Sequence, residues 1–260
     1  MKSKKKPLIL ITNDDGIFAK GIQHLAKAML PLADVYVVAP DQPQSGMGHA
    51  VTIRQIIRAW RSPFPVKVKE AYSCSGTPVD CVKLALNNLL PARPDIIVSG
   101  INHGSNASVN VIYSGTMSAA VEGALEKIPS IGFSLLDFSH DADFKASVPV
   151  AQQVVKSVLQ HGLPTGVCLN VNIPKLPLKK IKGIRYCRQA KGHWAEGFEQ
   201  RTDPHGGHYY WMSGQYVLED SGADADENAL AKGYVSVVPV HADLTDYTTL
   251  KQLKTWSSKI

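Results

Sequence analysis

Two adjacent carboxylates stand just beyond the first apolar run of the chain. Residues 8–12 predict a buried strand, and Asp14 and Asp15 follow it after one residue. Gly16 permits a turn there, so both side chains can face one site instead of opposite faces of a strand. Two neighbouring carboxylates repel each other unless a cation joins them, whereas one aspartate would be enough to cap a helix. The pair therefore favours a metal site.

The second predicted strand, residues 35–39, also ends in a polar loop. Asp41, Ser45 and His49 lie in that loop. Equivalent ends of neighbouring parallel strands meet at one crevice, where open α/β sheets bind their ligands. All three side chains are therefore candidates for the same site, and their spacing does not decide among them.

A third polar segment follows the strand predicted at residues 96–99. It contains Asn102 and Asn106 among small residues, and the Ser-Gly-Thr sequence of residues 114–116 opens the next predicted helix. N–H groups and hydroxyls at a helix N-terminus are donors for a phosphate. The segment lacks the lysine of a Walker loop and the glycine spacing of a dinucleotide site, so neither of those binding modes is favoured. A plain glycine-rich connection is the competing interpretation.

Together these oxygen donors suit a hard divalent cation. Two carboxylates, a hydroxyl and an amide are typical ligands of Mg²⁺, Mn²⁺ or Ca²⁺, whereas Zn²⁺ usually takes Cys or several His. Few protein ligands would leave positions open for water and a phosphate oxygen. We expect a phosphomonoester hydrolase in which a metal-bound water attacks, with no protein side chain assigned as its base. The candidate ligands are Asp14, Asp15, a hydroxyl such as Ser45 and an amide such as Asn102.

Three other interpretations fit the residues less well. A haloacid dehalogenase phosphatase needs a second aspartate two positions after the first, where this chain has Gly16 and Ile17. A response-regulator receiver is typically less than half this length, and only Lys127 stands near the place of its lysine. A zinc site is disfavoured because glycines in an aromatic segment flank its histidines, which are His193, His205 and His208.

The elements that must position these residues are strands alternating with helices. This alternation predicts a doubly wound, mostly parallel α/β sheet covered by helices on both faces, with residues 1–174 as the catalytic core. The predicted strands are residues 8–12, 35–39, 96–99, 130–134 and 167–173, and the predicted helices are residues 21–30, 78–89, 117–126 and 144–160, with Thr77 and Asp80 capping the second helix.

Residues 175–260 form a C-terminal extension with a different pattern. Residues 175–191 are basic around a strand at 184–188, and residues 193–216 are rich in Trp, Tyr, His and Gly, which predicts an extended hairpin arm. Aromatic side chains on an arm are typical of a protein interface, so the extension is assigned to oligomerisation. A short helix, a returning strand at 234–240 and a helix at 247–256 complete it.

The positive charge of the chain is distributed away from the candidate site. The net charge of the 260 residues is +6, of which Lys2, Lys4, Lys5 and Lys6 supply four. Segments 7–19, 40–53 and 94–126 hold the candidate residues and contain no Lys or Arg. Phosphate recognition is therefore assigned to a metal, N–H groups, hydroxyls and amides. A basic nucleic-acid-binding protein without catalysis is the alternative function, although a stable nucleic-acid partner is not expected.

The sequence also predicts a cytoplasmic protein without a membrane partner. The apolar run after the N-terminal lysines is too short for a signal peptide. Residues 96–121 carry no charge but are filled with Ser, Asn and Gly, whose polar groups a bilayer would leave unsatisfied. The four cysteines show no Cys-x-x-Cys pair, which favours free, buried thiols.

Five short motifs follow one another along the chain. They are residues 11–16 (ITNDDG), 38–41 with 45–46 (VAPD and SG), 76–78 with 80–82 (GTP and DCV), 99–102 with 104 and 106 (SGIN, G and N), and 113–116 (YSGT). In this order the motifs resemble the SurE family of stationary-phase survival proteins. Further similarity at residues 169–172 and 233–236 extends the resemblance to most of the chain.

The resemblance implies a SurE-like, Rossmann-like fold and a 5'-nucleotidase that depends on a divalent metal such as Mg, Mn or Co. It implies a nucleotide substrate, with 3'-nucleotides and short polyphosphate as further substrates. Among the open choices in the second loop it selects Ser45. By resemblance the metal ligands are Asp14, Asp15, Ser45 and Asn102, and the phosphate-binding residues are Asn106, Ser114, Gly115 and Thr116.

The resemblance also implies a homodimer or homotetramer built through exchanged C-terminal arms. This expectation agrees with the aromatic segment at residues 193–216, which is also the part least similar to the family. The roles of His49 and His103 are left open by the resemblance.

Overall fold

Strands and helices alternate along most of the chain, as the sequence predicts. This computed structural model describes residues 6–139 and 141–256, so Lys2, Lys4 and Lys5 of the basic N-terminal segment lie outside the described residues. The strands are β1 Leu8–Thr12, β2 Asp34–Pro40, β3 Ala59–Arg61, β4 Glu70–Cys74, β5 Ile96–His103, β6 Ser130–Leu135, β7 Val167–Ile173, β8 Ile184–Tyr186, β9 Gly192–Thr202, β10 His208–Leu218 and β11 Val235–His241. The helices are α1 Lys20–Met29, α2 Pro78–Leu84, α3 Asn110–Tyr113, α4 Gly115–Leu125, α5 Ser147–His161, α6 Asp226–Ala231 and α7 Tyr247–Leu253.

One large sheet organises these elements. It has nine strands in the order β3-β4-β2-β1-β5-β6-β7-β11-β8. The strands from β4 to β7 in this order run parallel, β3 is antiparallel at one edge, and β11 is antiparallel to β7 and parallel to β8. The expected fold class, a doubly wound and mostly parallel α/β sheet, is confirmed.

The central strand β1 is buried on both faces, which explains its unbroken apolar sequence. Ile9 and Ile11 belong to the apolar cluster that includes side chains of α1 and α5. Leu10 belongs to the cluster that includes Val82 of α2 and Ala119 of α4. Helices therefore cover both faces, and the end of β1 projects from a packed core.

Helix α1 packs closely against the end of β5. A Cβ built on Gly21 would lie 1.9 Å from the carbonyl oxygen of Ile101, so a side chain does not fit at this position. The pairing of β5 with β6 shifts register between Ser99 and Asn102. Helix packing and this irregularity together fix the path of the chain into the polar segment that follows.

The C-terminal extension contributes both to the sheet and to a separate arm. β8 and β11 belong to the large sheet, whereas β9 and β10 form an antiparallel hairpin of their own. The basic segment before the hairpin is partly neutralised by ion pairs. Arg188 contacts Asp220 at 2.5 Å and Asp224 at 3.0 Å, and Lys175 contacts Asp137 at 2.8 Å.

Several elements differ from the sequence expectation. β3, β4 and α3 are short and were not predicted, and β5 runs to His103 where the prediction ended at Ser99. The expected capping box of α2 is present, since the side chains of Thr77 and Asp80 each accept an N–H bond from the other residue. All four cysteines are buried and free of disulfides.

Among the described residues, each helix is too short or too polar to span a bilayer.

Candidate metal and phosphate site

The aspartate pair lies at the carboxyl end of β1, where the fold buries it. Asp14 is 4% exposed and Asp15 is partly buried. Burial, and after it the negative charge of Asp15, raise the pKa of Asp14 to about 6. Burial also raises the pKa of Asp15 to about 6. Both raised pKa values indicate that the surrounding protein groups do not fully compensate the negative charge of these carboxylates.

Asp14 contacts the first turn of α4. The hydroxyl of Thr116 donates to Asp14 Oδ1, and the backbone of Thr116 also hydrogen-bonds the carboxylate. A Cβ built on Gly115 would lie 2.7 Å from Asp14 Cβ, so glycine is required for this close approach. The positive end of the helix dipole therefore faces a buried carboxylate.

Ser114 is the N-cap of α4. Its hydroxyl accepts the N–H of Met117 at 3.0 Å, and its carbonyl accepts from Ser118. The cap satisfies the N–H of Met117, and the first-turn N–H groups of any helix point out of its N-terminal end, where an anion can bind. Three of the predicted phosphate-binding residues, Ser114, Gly115 and Thr116, thus meet Asp14 at one place.

Asn102 lies near the end of β5, one residue before His103. Its Nδ2 donates to the carbonyl oxygens of His103 at 3.1 Å and Gly104 at 3.2 Å, which orients the amide and leaves Oδ1 available as a ligand. The N–H of His103 donates to Asp15 Oδ2 at 3.3 Å. The β5 segment therefore approaches the aspartate pair directly.

The loop after β2, residues 41–52, carries Ser45 and is here called the Ser45 loop. The N–H of Gln44 donates to the backbone oxygen of Asp14 at 2.7 Å, which brings the residue before Ser45 against the aspartate pair. Asp41 donates its N–H to Cys74 on β4, and His49 contacts Glu122 on α4. Of the three candidates that spacing left open, Ser45 is the one whose neighbour contacts Asp14.

Asn106 is buried and held by side chains that the sequence analysis did not assign. Its N–H donates to Asn172 Oδ1 at 2.9 Å and its Nδ2 donates to Ser134 at 2.7 Å, while Asn170 donates to its carbonyl at 2.7 Å. The signal was present in the sequence, because Asn170 and Asn172 place two amides on one face of an otherwise apolar strand. Polar residues in a buried strand need partners.

The donor set fits a hard divalent cation. The two carboxylates have raised pKa values, the β5 segment that contacts Asp15 carries an oriented amide, and Asn13 Oδ1 is buried without a hydrogen-bond partner among the described residues. The described part of the chain holds no group of three or more His, Cys, Asp or Glu side chains placed to bind a metal. A metal here would therefore take the two aspartates with neutral oxygens. Ligation by Asp14, Asp15, Ser45 and Asn102 stays a prediction.

Comparison with known proteins identifies the family. Residues 9–196 match the family model described as Survival protein SurE. The chain belongs to the SurE family. The SurE match includes the ends of β1, β2 and β5 and all of α4, so it contains the candidate site described above.

Relatives of similar length carry the same family name. The protein named 5'-nucleotidase SurE from Christiangramia forsetii is 58% identical over 98% of both chains, and that from Flavobacterium johnsoniae is 56% identical over 97% of both. The crystal structure of the SurE protein from Aquifex aeolicus superposes with a TM-score of 0.83 at 38% identity, covering 97% of this chain and 100% of that one. The resemblance stated from the motifs is confirmed.

Proposed function

We propose that this chain is a metal-dependent phosphomonoesterase that hydrolyses nucleoside 5'-monophosphates to nucleoside and phosphate. The observation that carries the proposal is the contact between Asp14 and the first turn of α4. A buried carboxylate, with a second one beside it, lies at a helix end suited to phosphate. The names of the relatives, 5'-nucleotidase SurE, support the same activity.

The proposed metal is Mg, Mn or Co. When bound, such a metal neutralises charge on the phosphoryl group and lowers the pKa of a water. The chain orients the donors: Thr116 holds Asp14, the N–H of His103 holds Asp15, and two carbonyls hold the amide of Asn102. The proposed ligands are Asp14, Asp15, Ser45 and Asn102.

The proposed phosphate site uses neutral donors. The N-terminus of α4, capped by Ser114, is the proposed phosphate-binding end of the helix, and the partners on β6 and β7 hold Asn106 in place. The segments that contain these residues have no Lys or Arg, so the protein binds phosphate through hydrogen bonds and the metal. Because these contacts bind the phosphate group and not the base, 3'-nucleotides and short polyphosphate are proposed as further substrates. The phosphate-binding residues are Asn106, Ser114, Gly115 and Thr116.

We also propose that the protein is a homodimer or homotetramer assembled through the β9–β10 arm. The arm exposes large apolar side chains, which are costly to leave in water and typical of interfaces. They include Phe198, Tyr210, Trp211 and Met212.

A phosphate-release assay tests the function. AMP, a 3'-nucleotide, tripolyphosphate and a sugar phosphate are each assayed with Mg²⁺, Mn²⁺ and Co²⁺, with and without EDTA. We expect release from AMP that EDTA abolishes, and about 100-fold or greater loss in Asp14→Asn and Asp15→Asn because the charge that binds the metal is gone. Asp41→Asn is the matched control, since this acid follows the neighbouring strand and its N–H contacts Cys74.

Full activity with EDTA, or in either site variant, would contradict the metal requirement. Tight, salt-dependent duplex binding with no phosphate release would instead favour the alternative, a basic nucleic-acid-binding protein.

A further inference from the structure

The Ser45 loop has an exposed tip and anchored flanks. Ser45, Gly46 and Met47 are exposed. Before the tip, the N–H of Gln44 donates to the backbone of Asp14 at 2.7 Å, and after it the N–H of Gly48 donates to the carbonyl of Tyr113 at 3.2 Å. The position of the Ser45 side chain therefore depends on contacts made by its neighbours.

The side-chain anchor after the tip is His49. Its Nε2 lies 2.9 Å from Glu122 Oε2, and Lys83 Nζ lies 2.5 Å from Glu122 Oε1. The Glu122 side chain is 4% exposed, whereas those of His49 and Lys83 are 36% and 43% exposed. Burial alone would raise the pKa of Glu122, yet hydrogen bonds from His49 and Lys83 hold it below its usual value. Glu122 is thus a buried acceptor with two partners from different elements.

Glu122 belongs to the helix that begins at the phosphate site. It lies six residues after Thr116 on α4, or about 9 Å along the helix axis. A contact between His49 and Glu122 therefore fixes the loop to the same rigid element that contacts Asp14. The end of the loop is fixed separately to α2, because Thr77 Oγ1 donates to Ala50 at 2.8 Å.

We propose that His49 is a positioning residue for the metal site: its hydrogen bond to Glu122 holds the Ser45 loop on α4 and so keeps Ser45 beside the aspartate pair. The inference rests on the proposed function and adds to it a residue that touches neither metal nor substrate. Lys83 still pairs with Glu122 when His49 is removed, so the helix keeps a partner for its buried carboxylate.

Mn²⁺ binding to the metal-free protein tests this role. Dissociation constants are measured by electron paramagnetic resonance of free Mn²⁺ for the wild type, His49→Ala, His49→Gln and Lys83→Gln. Loss of a residue that orients a metal ligand typically weakens metal binding about 10- to 100-fold, and we expect this of His49→Ala. His49→Gln retains a donor near the position of Nε2 and is expected to restore most of the affinity. Lys83→Gln removes the other partner of Glu122 without touching the loop and is expected to bind Mn²⁺ as the wild type does.

Two further measurements distinguish a role of His49 in positioning the Ser45 loop from a general loss of folding in the variant. Hydrogen exchange of the amides at residues 44–49 should be faster in metal-free His49→Ala than in the wild type, with an unchanged Tm. At saturating Mn²⁺ the variant should regain most of its kcat, because the chemistry itself does not use His49.

Each contrary outcome has a definite meaning. The inference is overturned if His49→Ala binds Mn²⁺ like the wild type, if His49→Gln is as weak as His49→Ala, or if Lys83→Gln is equally weak. If one of these three outcomes occurs while the wild type binds Mn²⁺ and Asp14→Asn does not, the role of His49 is removed and the metal site still stands. If the wild type itself binds no Mn²⁺, the metal site and the role of His49 both fall.

Discussion

Gly115 is the residue that lets α4 approach the aspartate pair. A Cβ at this position would lie 2.7 Å from Asp14 Cβ and 3.0 Å from Asp14 Oδ2, closer than carbon atoms pack. Gly115→Ala must therefore displace the carboxylate or the first turn of the helix. Since a misplacement of about 1 Å can cost about 100-fold in rate, we expect a loss of kcat/KM of that order toward AMP.

Steady-state kinetics with Mn²⁺ measure the effect of Gly115→Ala. Leu125→Ala, at the exposed far end of the same helix, is the control for changes to α4 in general and should keep wild-type kinetics. Unchanged kcat/KM in Gly115→Ala would show that Asp14 has room to adjust.

The acids of the site are more readily predicted from sequence than its hydroxyl. Asp14 and Asp15 follow a strand whose apolar pattern is unambiguous, so their place at the sheet edge is expected from local sequence. One loop carries Asp41, Ser45 and His49. Its path depends on the contact between His49 and Glu122, which lie 73 residues apart in the sequence. Local patterns carry no information about such a contact, and the choice of Ser45 came from family resemblance.

At the scale of elements, strand β7 supports the segment between β5 and α4, through the contact of Asn172 with Asn106. Asn172→Ala should leave the buried N–H of Asn106 without an acceptor, which costs about 1–3 kcal/mol. We expect lower stability in urea and a higher KM for AMP, because Asn106 loses its support. Ser236 is the matched control, since it lies opposite Asn172 on β11 and its buried hydroxyl has no partner among the described residues. A wild-type KM for AMP in Asn172→Ala, or an equal rise of KM in Ser236→Ala, would contradict the inference that Asn172 specifically supports Asn106.

Helix α6 carries a carboxylate that makes stability depend on pH. Burial, and after it the charge of Asp226, raise the pKa of Glu227 from 4.5 to about 7. Between these values the folded protein binds more protons than the unfolded chain, so stability falls as pH rises from about 4.5 to 7 and then levels off. Glu227→Gln should therefore raise the free energy of unfolding at pH 8, by on the order of 1 kcal/mol for this partly exposed group, and have little effect at pH 5.

Urea unfolding at the two pH values checks this dependence. Glu196→Gln on the exposed arm serves as the control and should shift stability equally at both. Equal stabilisation by Glu227→Gln at pH 5 and pH 8 would mean that the charge of Glu227 is not the cause.

Elements buried on both sides were predicted more completely than partly buried ones. β1 and β7 are mostly apolar because helices cover both faces, and both were predicted at their observed bounds. β4 has only five residues, two of which are the polar Glu70 and Ser73, and it pairs on one side with the exposed edge strand β3, so its sequence resembles a loop. The continuation of β5 to His103 follows from pairing with β6 and packing of α1, which a local pattern does not contain.

At the scale of the whole molecule, the β9–β10 arm contacts the segment between β5 and α4 at its base and exposes apolar side chains toward its tip. At the base, Tyr216 donates to Ser108 Oγ at 2.6 Å and Trp194 Nε1 donates to Asn110 Oδ1 at 2.9 Å. Replacing residues 198–212 by Asn-Gly would shorten the hairpin while keeping both contacts, because Asn-Gly forms a tight two-residue turn. We expect a smaller assembly with nearly unchanged kcat/KM.

Light scattering and AMP hydrolysis together measure the effect of the shortened arm. Tyr216→Phe in the full-length chain is the complementary variant, expected to raise KM while leaving the mass unchanged. If the assembly of the shortened protein contains as many subunits as that of the full-length chain, the arm does not form the oligomer contact.

The large sheet is completed by β11, the last of its strands in chain order. β11 lies between β7 and β8, although about 60 residues separate its start from the end of β7. At about 5–20 residues per second, a ribosome needs about 3–14 s to make the chain from the end of β7 to the end of β11. During that interval the nascent protein presents β7 as an open edge, which is a template for wrong pairing. Newly made chains should therefore depend on chaperones until the C-terminal extension emerges, and chains truncated before β11 should aggregate.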